Sequence, residues 1–351
     1  DTIVVNGKAW PFLEVQPKRY RFLFLNGSNA RTYEMFLTNK TNTAPAPKIW
    51  VIGNDGGYLD APVGLKKLVM MPGERYEVII DFTNVPLGTN LVLTNTAKTP
   101  FPAGAAPQGA TLGKIMQFRV NKQLVEIDNS YSPASGVPLR SGANKMVRLP
   151  TTAAVTRQLT LNEVMGMPKT EIDPVTNALT AYPGGPLEIL VNNTKWSGER
   201  ITGVDQDGMF MFEPLPGSTP DNNGNYLTEI PMEGTTEIWE IVNITADAHP
   251  IHLHLVQFQI ISRQAFHTTA YLAAYNKAFP GGGFDPMTGL PCAPGVYCPG
   301  FGPPLALDGS DPLSNGKLGG NPDVAMLSKS GNPLYLHGKA KPPALYESGW
   351  K

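Results

Sequence analysis

Short runs of strand-forming residues, each closed by a turn signal, recur along the first 120 positions and leave room for little but β-structure. Residues 19–25, 32–37, 48–52, 68–71, 75–82, 91–94 and 114–120 are rich in Val, Ile, Leu, Phe and Tyr, side chains that pack well on a pleated surface. Turn sequences such as Asn54-Asp55-Gly56-Gly57 and Met71-Pro72-Gly73 separate them, and each sets a backbone conformation that a strand cannot continue. Evenly spaced short strands of this kind predict a β-sandwich. The 36 glycines and 34 prolines fit many turns, and no amphipathic helix longer than a few turns is visible. The predicted fold class is all-β.

A chain of 351 residues is long enough for two domains. The first is expected over 1–124. Residues 125–156, polar and without apolar periodicity, read as an interdomain linker. The second domain is expected over 157–351, with strands at 158–162, 187–192, 236–243 and 251–263. Within it, 280–343 is a Gly/Pro-rich insertion, too long and too poor in periodic apolar residues to be a core element.

Net charge is −1 and charged residues make up 16% of the chain, so nothing points to nucleic acid or an anionic membrane as a partner. No apolar run approaches the roughly 20 residues that cross a bilayer. The two cysteines, Cys292 and Cys298, flank a short Pro/Gly turn. They read as a disulfide in an oxidising compartment, with two free thiols as the alternative.

The chemistry concentrates in one heptapeptide, His249-Pro250-Ile251-His252-Leu253-His254-Leu255, which holds three of the chain's five histidines. Imidazole is the commonest protein metal ligand. On a strand, His252 and His254 share one face, about 6–7 Å apart, while Leu253 and Leu255 face a core. Pro250 holds His249 extended and allows it a different direction. A single buried histidine usually finds a hydrogen bond. Three at this spacing cost desolvation unless each finds a partner, and a metal supplies one. Zinc, copper, iron and nickel all remain open on spacing alone. His267 and His337 lack ligand-like neighbours in the sequence and read as ordinary loop histidines.

His249 to Phe258 resembles the third of the four copper motifs of multicopper oxidases, most closely the spore-coat bacterial laccases and the bilirubin oxidases. The segments Val5-Asn6-Gly7-Lys8-Ala9-Trp10-Pro11, Asn26-Gly27-Ser28-Asn29-Ala30-Arg31, Glu74-Arg75-Tyr76-Glu77-Val78 and Gly234-Thr235-Thr236-Glu237-Ile238-Trp239 are similar to that group too, in the same order. The resemblance covers most of 1–265 and returns at Glu347-Ser348-Gly349-Trp350-Lys351. It implies cupredoxin-like Greek-key sandwiches: most of a middle domain, then an incomplete third domain.

The resemblance also implies four coppers in a complete enzyme: type 1, type 2 and a type 3 pair. His249 would bind type 1, His252 type 2 and His254 one type 3 copper. The implied activity takes one electron at a time from phenols, aromatic amines or bilirubin-like pigments and reduces dioxygen to water. Partners would be dioxygen, small aromatic reductants and the N- and C-terminal segments of the same protein that carry the other copper motifs. Four coppers need about ten histidines and a thiolate, so these 351 residues alone are not expected to oxidise phenols. Neither Cys292 nor Cys298 stands between histidines as the blue-copper cysteine of this family does. An extracytoplasmic location (secreted, periplasmic or spore coat) follows. The 280–343 insertion is expected to lie over the type 1 site as a lid.

Two readings compete with a laccase-like activity. A cuprous or metal-ion oxidase of the copper-efflux type would use methionine pairs such as Met165/Met167 and Met209/Met211, although methionine more often fills cores. A copper-free cupredoxin-fold assembly protein would not need its three histidines. An unrelated single-metal enzyme using only His252 and His254 leaves the colinear segments unexplained.

Overall fold

The computed structural model describes residues 2–166, 169–172, 175–182, 185–204, 206, 210–214, 218–278 and 305–351. They form two compact units: 1–149 with 246–263 and 341–351, and 150–245 with 264–340.

The first unit is a β-sandwich. Its strands are β1 (Phe12–Val15), β2 (Arg19–Leu25), β3 (Tyr33–Asn39), β4 (Ile49–Asn54), β5 (Gly57–Leu65), β6 (Leu68–Met70), β7 (Arg75–Asp81), β8 (Thr89–Asn95) and β9 (Lys114–Val120). One sheet runs β1-β9-β8-β3-β6 and the other β2-β7-β4-β5. All neighbours are antiparallel except β1 and β9, which run parallel. Alternation assigns the faces. Leu91 and Leu93 of one sheet and Tyr76, Val78 and Ile80 of the other enter a common core. Phe118 sits at its centre, 5.4 Å from Phe22 and 5.5 Å from Phe82 between ring centroids.

The polar stretch after β9 is not a free linker as far as residue 149. Asp128 Oδ2 accepts hydrogen bonds from the Arg19 backbone at 2.8 Å and from Arg19 Nε at 3.0 Å. The amides of Leu139 and Arg140 both donate to the Asp60 carbonyl. Burial alone would raise the Asp128 carboxyl; the bonds from Ser130 and Arg19 outweigh it and hold the group well below the usual range. Sequence reasoning read this stretch as linker because polar side chains, not an apolar stripe, fasten it.

The first unit also contains 246–263, expected in the second domain. Residues 251–262 form no strand. A strand needs a neighbour for its backbone groups, and among the described residues only Phe258 finds one, exchanging amide bonds with Lys351 at 3.2 and 2.9 Å. Leu255 has φ +64° and is fully exposed, so it faces no core, contrary to the expectation. The Lys351 side chain is buried: Nζ reaches Asp55 at 3.0 Å, Glu74 at 2.9 Å and Tyr76 Oη at 3.1 Å.

The second unit is built around β10 (Thr156–Gly166), flanked by antiparallel β11 (Gly185–Val191) and parallel β12 (Ile238–Asn243). Strand β13 (Arg263–Phe266) leads into helix α1 (Thr268–Ala278), and β14 (Leu336–Lys341) pairs with β13. Tyr271 and Tyr275, one turn apart on α1, are wholly buried.

The described part of 280–343 corrects the picture of an insertion outside the core. Asn321 is 1% exposed and Gln158 of β10 is fully buried. Asn321 Nδ2 donates to the Gln158 carbonyl and to Asn192 Oδ1, and its Oδ1 accepts from Tyr275 Oη. Gln158 Nε2 donates to the Pro322 carbonyl at 2.7 Å, and its Oε1 accepts from the Val324 amide at 2.8 Å. Every polar group in this cluster finds a partner, which is the condition for burying it. Gly319 has φ +109°, and a Cβ there would overlap the Gln158 carbonyl, so only glycine fits. Residues 279–304, with Cys292 and Cys298, lie outside the described residues.

Candidate metal centre

Pro250 and the absence of strand pairing shape the histidine segment. The chain enters it anchored by the Ala248 amide, which donates to the Phe101 carbonyl at 2.8 Å. It leaves anchored at Gln259, whose side chain accepts from the Leu149 amide and donates to the Val147 carbonyl. Between these points Phe258 is tied to Lys351 by two backbone hydrogen bonds.

His249 is half-buried, and its Nε2 lies 3.1 Å from Asp247 Oδ1. A carboxylate on one ring nitrogen fixes the orientation of the imidazole and is the usual outer partner of a metal-ligating histidine. Asp247 was not singled out from the sequence. The available signal was a carboxylate two residues before the first histidine, one of 29 acidic residues in the chain.

His252 and His254 are exposed, and their rings meet edge-on with centroids 5.0 Å apart at 80°. The i, i+2 spacing therefore brings the two imidazoles together, as expected for one face, although the segment is not a regular strand. Two exposed imidazoles and a third held by a carboxylate make a nitrogen-rich donor set. Nitrogen donors suit copper, zinc and nickel, and affinity peaks at copper. The residues present fit a copper site.

An open recess of about 510 Å³ runs along 143–147 and is also lined by Arg140, Gln257 and Trp350. The remaining two histidines are not isolated. His267 and His337 stand with ring centroids 4.8 Å apart, a pairing that their separation of 70 positions in the sequence concealed.

The multicopper oxidase family model matches residues 197–280, a span that contains all three motif histidines. A laccase of Bacillus subtilis is 32% identical over 286 residues, covering 82% of this chain and 44% of the relative. Over most of its length the chain is similar to the multicopper oxidases. The multicopper oxidase LPR1 homolog 5 of Oryza sativa is 36% identical over 264 residues, covering 74% of the chain and 33% of the relative. The chain thus spans less than half the length of these curated relatives. The fold agrees with a solved multicopper oxidase, McoA of the hyperthermophile Aquifex aeolicus, at a TM-score of 0.50 and 24% identity over 74% of the chain and 45% of McoA. The cofactor of this family is copper, the metal the donor set suits. Among the described residues no helix is long and apolar enough to cross a membrane.

Proposed function

We propose that this chain is part of a laccase-like multicopper oxidase, with His249 on the type 1 copper, His252 on the type 2 copper and His254 on one of the type 3 pair. The observation that carries the reading is the convergence of His252 and His254 beside a histidine braced by its own carboxylate, in a chain similar to the multicopper oxidases. Copper, when bound, supplies reversible one-electron chemistry. Asp247 positions the His249 ring, and Pro250 holds His249 out of register with the other two. His252 and His254 would hold the ions that supply the dioxygen chemistry.

The substrates of the whole enzyme are phenols, aromatic amines or bilirubin-like pigments, and dioxygen is reduced to water. Similarity to laccases supports this class. The enzyme acts outside the cytoplasm, secreted, periplasmic or in a spore coat, where a Cys292–Cys298 disulfide would persist. The two units correspond to parts of the middle and third cupredoxin-like domains.

The test is oxygen uptake by the intact copper-loaded enzyme with 2,6-dimethoxyphenol and, separately, with ferrous and cuprous ions. A laccase-like enzyme gives a kcat/KM for the phenol that exceeds that for either ion. The reverse order, with the phenol near background, replaces the reading with a metal-ion oxidase.

A further inference from the structure

We propose that His267 and His337 form a second metal site, a two-imidazole chelate for a divalent transition-metal ion, Cu(II) ahead of Zn(II). It belongs to the second unit, whereas the three motif histidines belong to the first.

The pair is built by the fold. His267 follows β13 directly and opens α1, and His337 is the second residue of β14. The His267 amide donates to the Tyr335 carbonyl at 2.8 Å, and Gln264 Nε2 donates to the Gly338 carbonyl at 2.8 Å, so hydrogen bonds tie the two strands on both sides of the histidines. The backbones are also held from beneath. Phe266 and Tyr335 each pack edge-on against the fully buried Tyr271, at 5.9 Å and 5.5 Å. Both Cα positions are therefore fixed before any ion arrives, which lowers the ordering cost of chelation.

The ring spacing matches what one shared ion requires. A metal–nitrogen bond is about 2.0–2.1 Å, which puts each ring centroid about 3.2 Å from the ion. Two such rings at a square or tetrahedral angle then lie about 4.5–5.2 Å apart. The observed separation is 4.8 Å with the rings tilted by 55°. Both residues are exposed, so solvent supplies the remaining ligands. Neither imidazole pairs with a carboxylate among the described residues, so no ion pair competes for the nitrogens. Two nitrogen donors favour Cu(II) over Zn(II) by the general order of divalent affinities. Lys339, two positions along β14, is the nearest cation in sequence; its exposed ammonium is screened by salt.

Histidine-specific acylation with diethyl pyrocarbonate, read peptide by peptide by mass spectrometry, tests the site on the full chain. Cu(II) alone and Zn(II) alone are the probes, compared with metal-free protein. The proposal predicts that Cu(II) protects His267 and His337 together, at a lower concentration than Zn(II). In the His337→Ala variant the concentration that protects His267 should rise about 100-fold, and the reverse should hold for His267→Ala, because each ring supplies the other's effective concentration. Protection of His267 that is unchanged by His337→Ala, or no protection of either ring at millimolar Cu(II), overturns the proposal. The readout is local to these two residues, so it stands or falls independently of copper at the motif histidines and of the enzyme's activity.

Discussion

His249→Ala abolishes the blue absorption that a thiolate-bound type 1 copper gives, while much of the copper at the other sites remains. His252→Ala and His254→Ala do the opposite: the blue colour stays and dioxygen reduction falls by at least about 100-fold, since a ligand and its fixed geometry are lost together. The division rests on the proposed copper roles, and the geometry supports it. His249 is braced by Asp247 and set apart by Pro250, whereas His252 and His254 meet each other. The two exposed residues support no core, so their loss leaves the fold intact and the effect is chemical. Asp247→Asn weakens copper at His249 by about 10–100-fold, the usual cost of losing an outer-shell carboxylate. Visible absorption and copper analysis of the four variants of the intact enzyme provide the check. One common loss for all three histidine variants removes the division of labour.

Glu237→Ala lowers the stability of the second unit by about 3–5 kcal/mol, the penalty for stranding a buried charge. Arg157 donates two hydrogen bonds to Glu237, each 3.1 Å long, and both side chains are buried. Trp239 Nε1 adds a third bond to the same carboxylate at 2.8 Å. Removing the carboxylate leaves the Arg157 guanidinium without its partner. The pH dependence has a definite sign. Burial pushes the Glu237 carboxyl up, but the bonds and charge of Arg157 and the bond from Trp239 prevail and hold it below its ordinary value. Its contribution is therefore complete above about pH 4.3, the unfolded value, and is lost as pH falls through the lower folded value. Urea denaturation at pH 7 and pH 4 tests both statements. A midpoint unchanged by Glu237→Ala at pH 7 contradicts the first.

The parts of the fold that were legible in the sequence are those where apolar alternation and turn chemistry agree. Strands β2 and β9 begin and end where their runs of Phe, Leu, Ile and Val do, because each is one side of a dry core. Strand β5 was not visible, since Gly57, Pro62 and Gly64 interrupt its pattern, and β1 has only four residues. The error over 251–262 has the opposite origin. Its residues have strand propensity, but propensity is realised only against a neighbour, and here just one residue is paired. The stretch 314–324 looked unfit for a core because it lacks apolar periodicity. It is buried through amides and carboxylates instead, with Asn321 and Asp323 each 1% exposed, and sequence periodicity carries no record of hydrogen-bond partners.

The candidate site divides in the same way. His252 and His254 lie two apart in the chain and were recognisable as a pair. Asp247 was close in sequence yet indistinguishable from any other acidic residue. The pairing of His267 with His337 depends on two strands meeting across 70 residues, a contact no local pattern encodes.

The claim that these three histidines hold copper is tested most directly by anomalous scattering. Diffraction from crystals of the copper-loaded intact enzyme, collected on both sides of the copper absorption edge, locates each copper by its difference signal. Coppers bound to His249, to His252 and to His254, with the His249 ion distinct from the other two, are the predicted result. Copper present in the crystal but with no signal at any of the three rings, or a single ion shared by all of them, contradicts it.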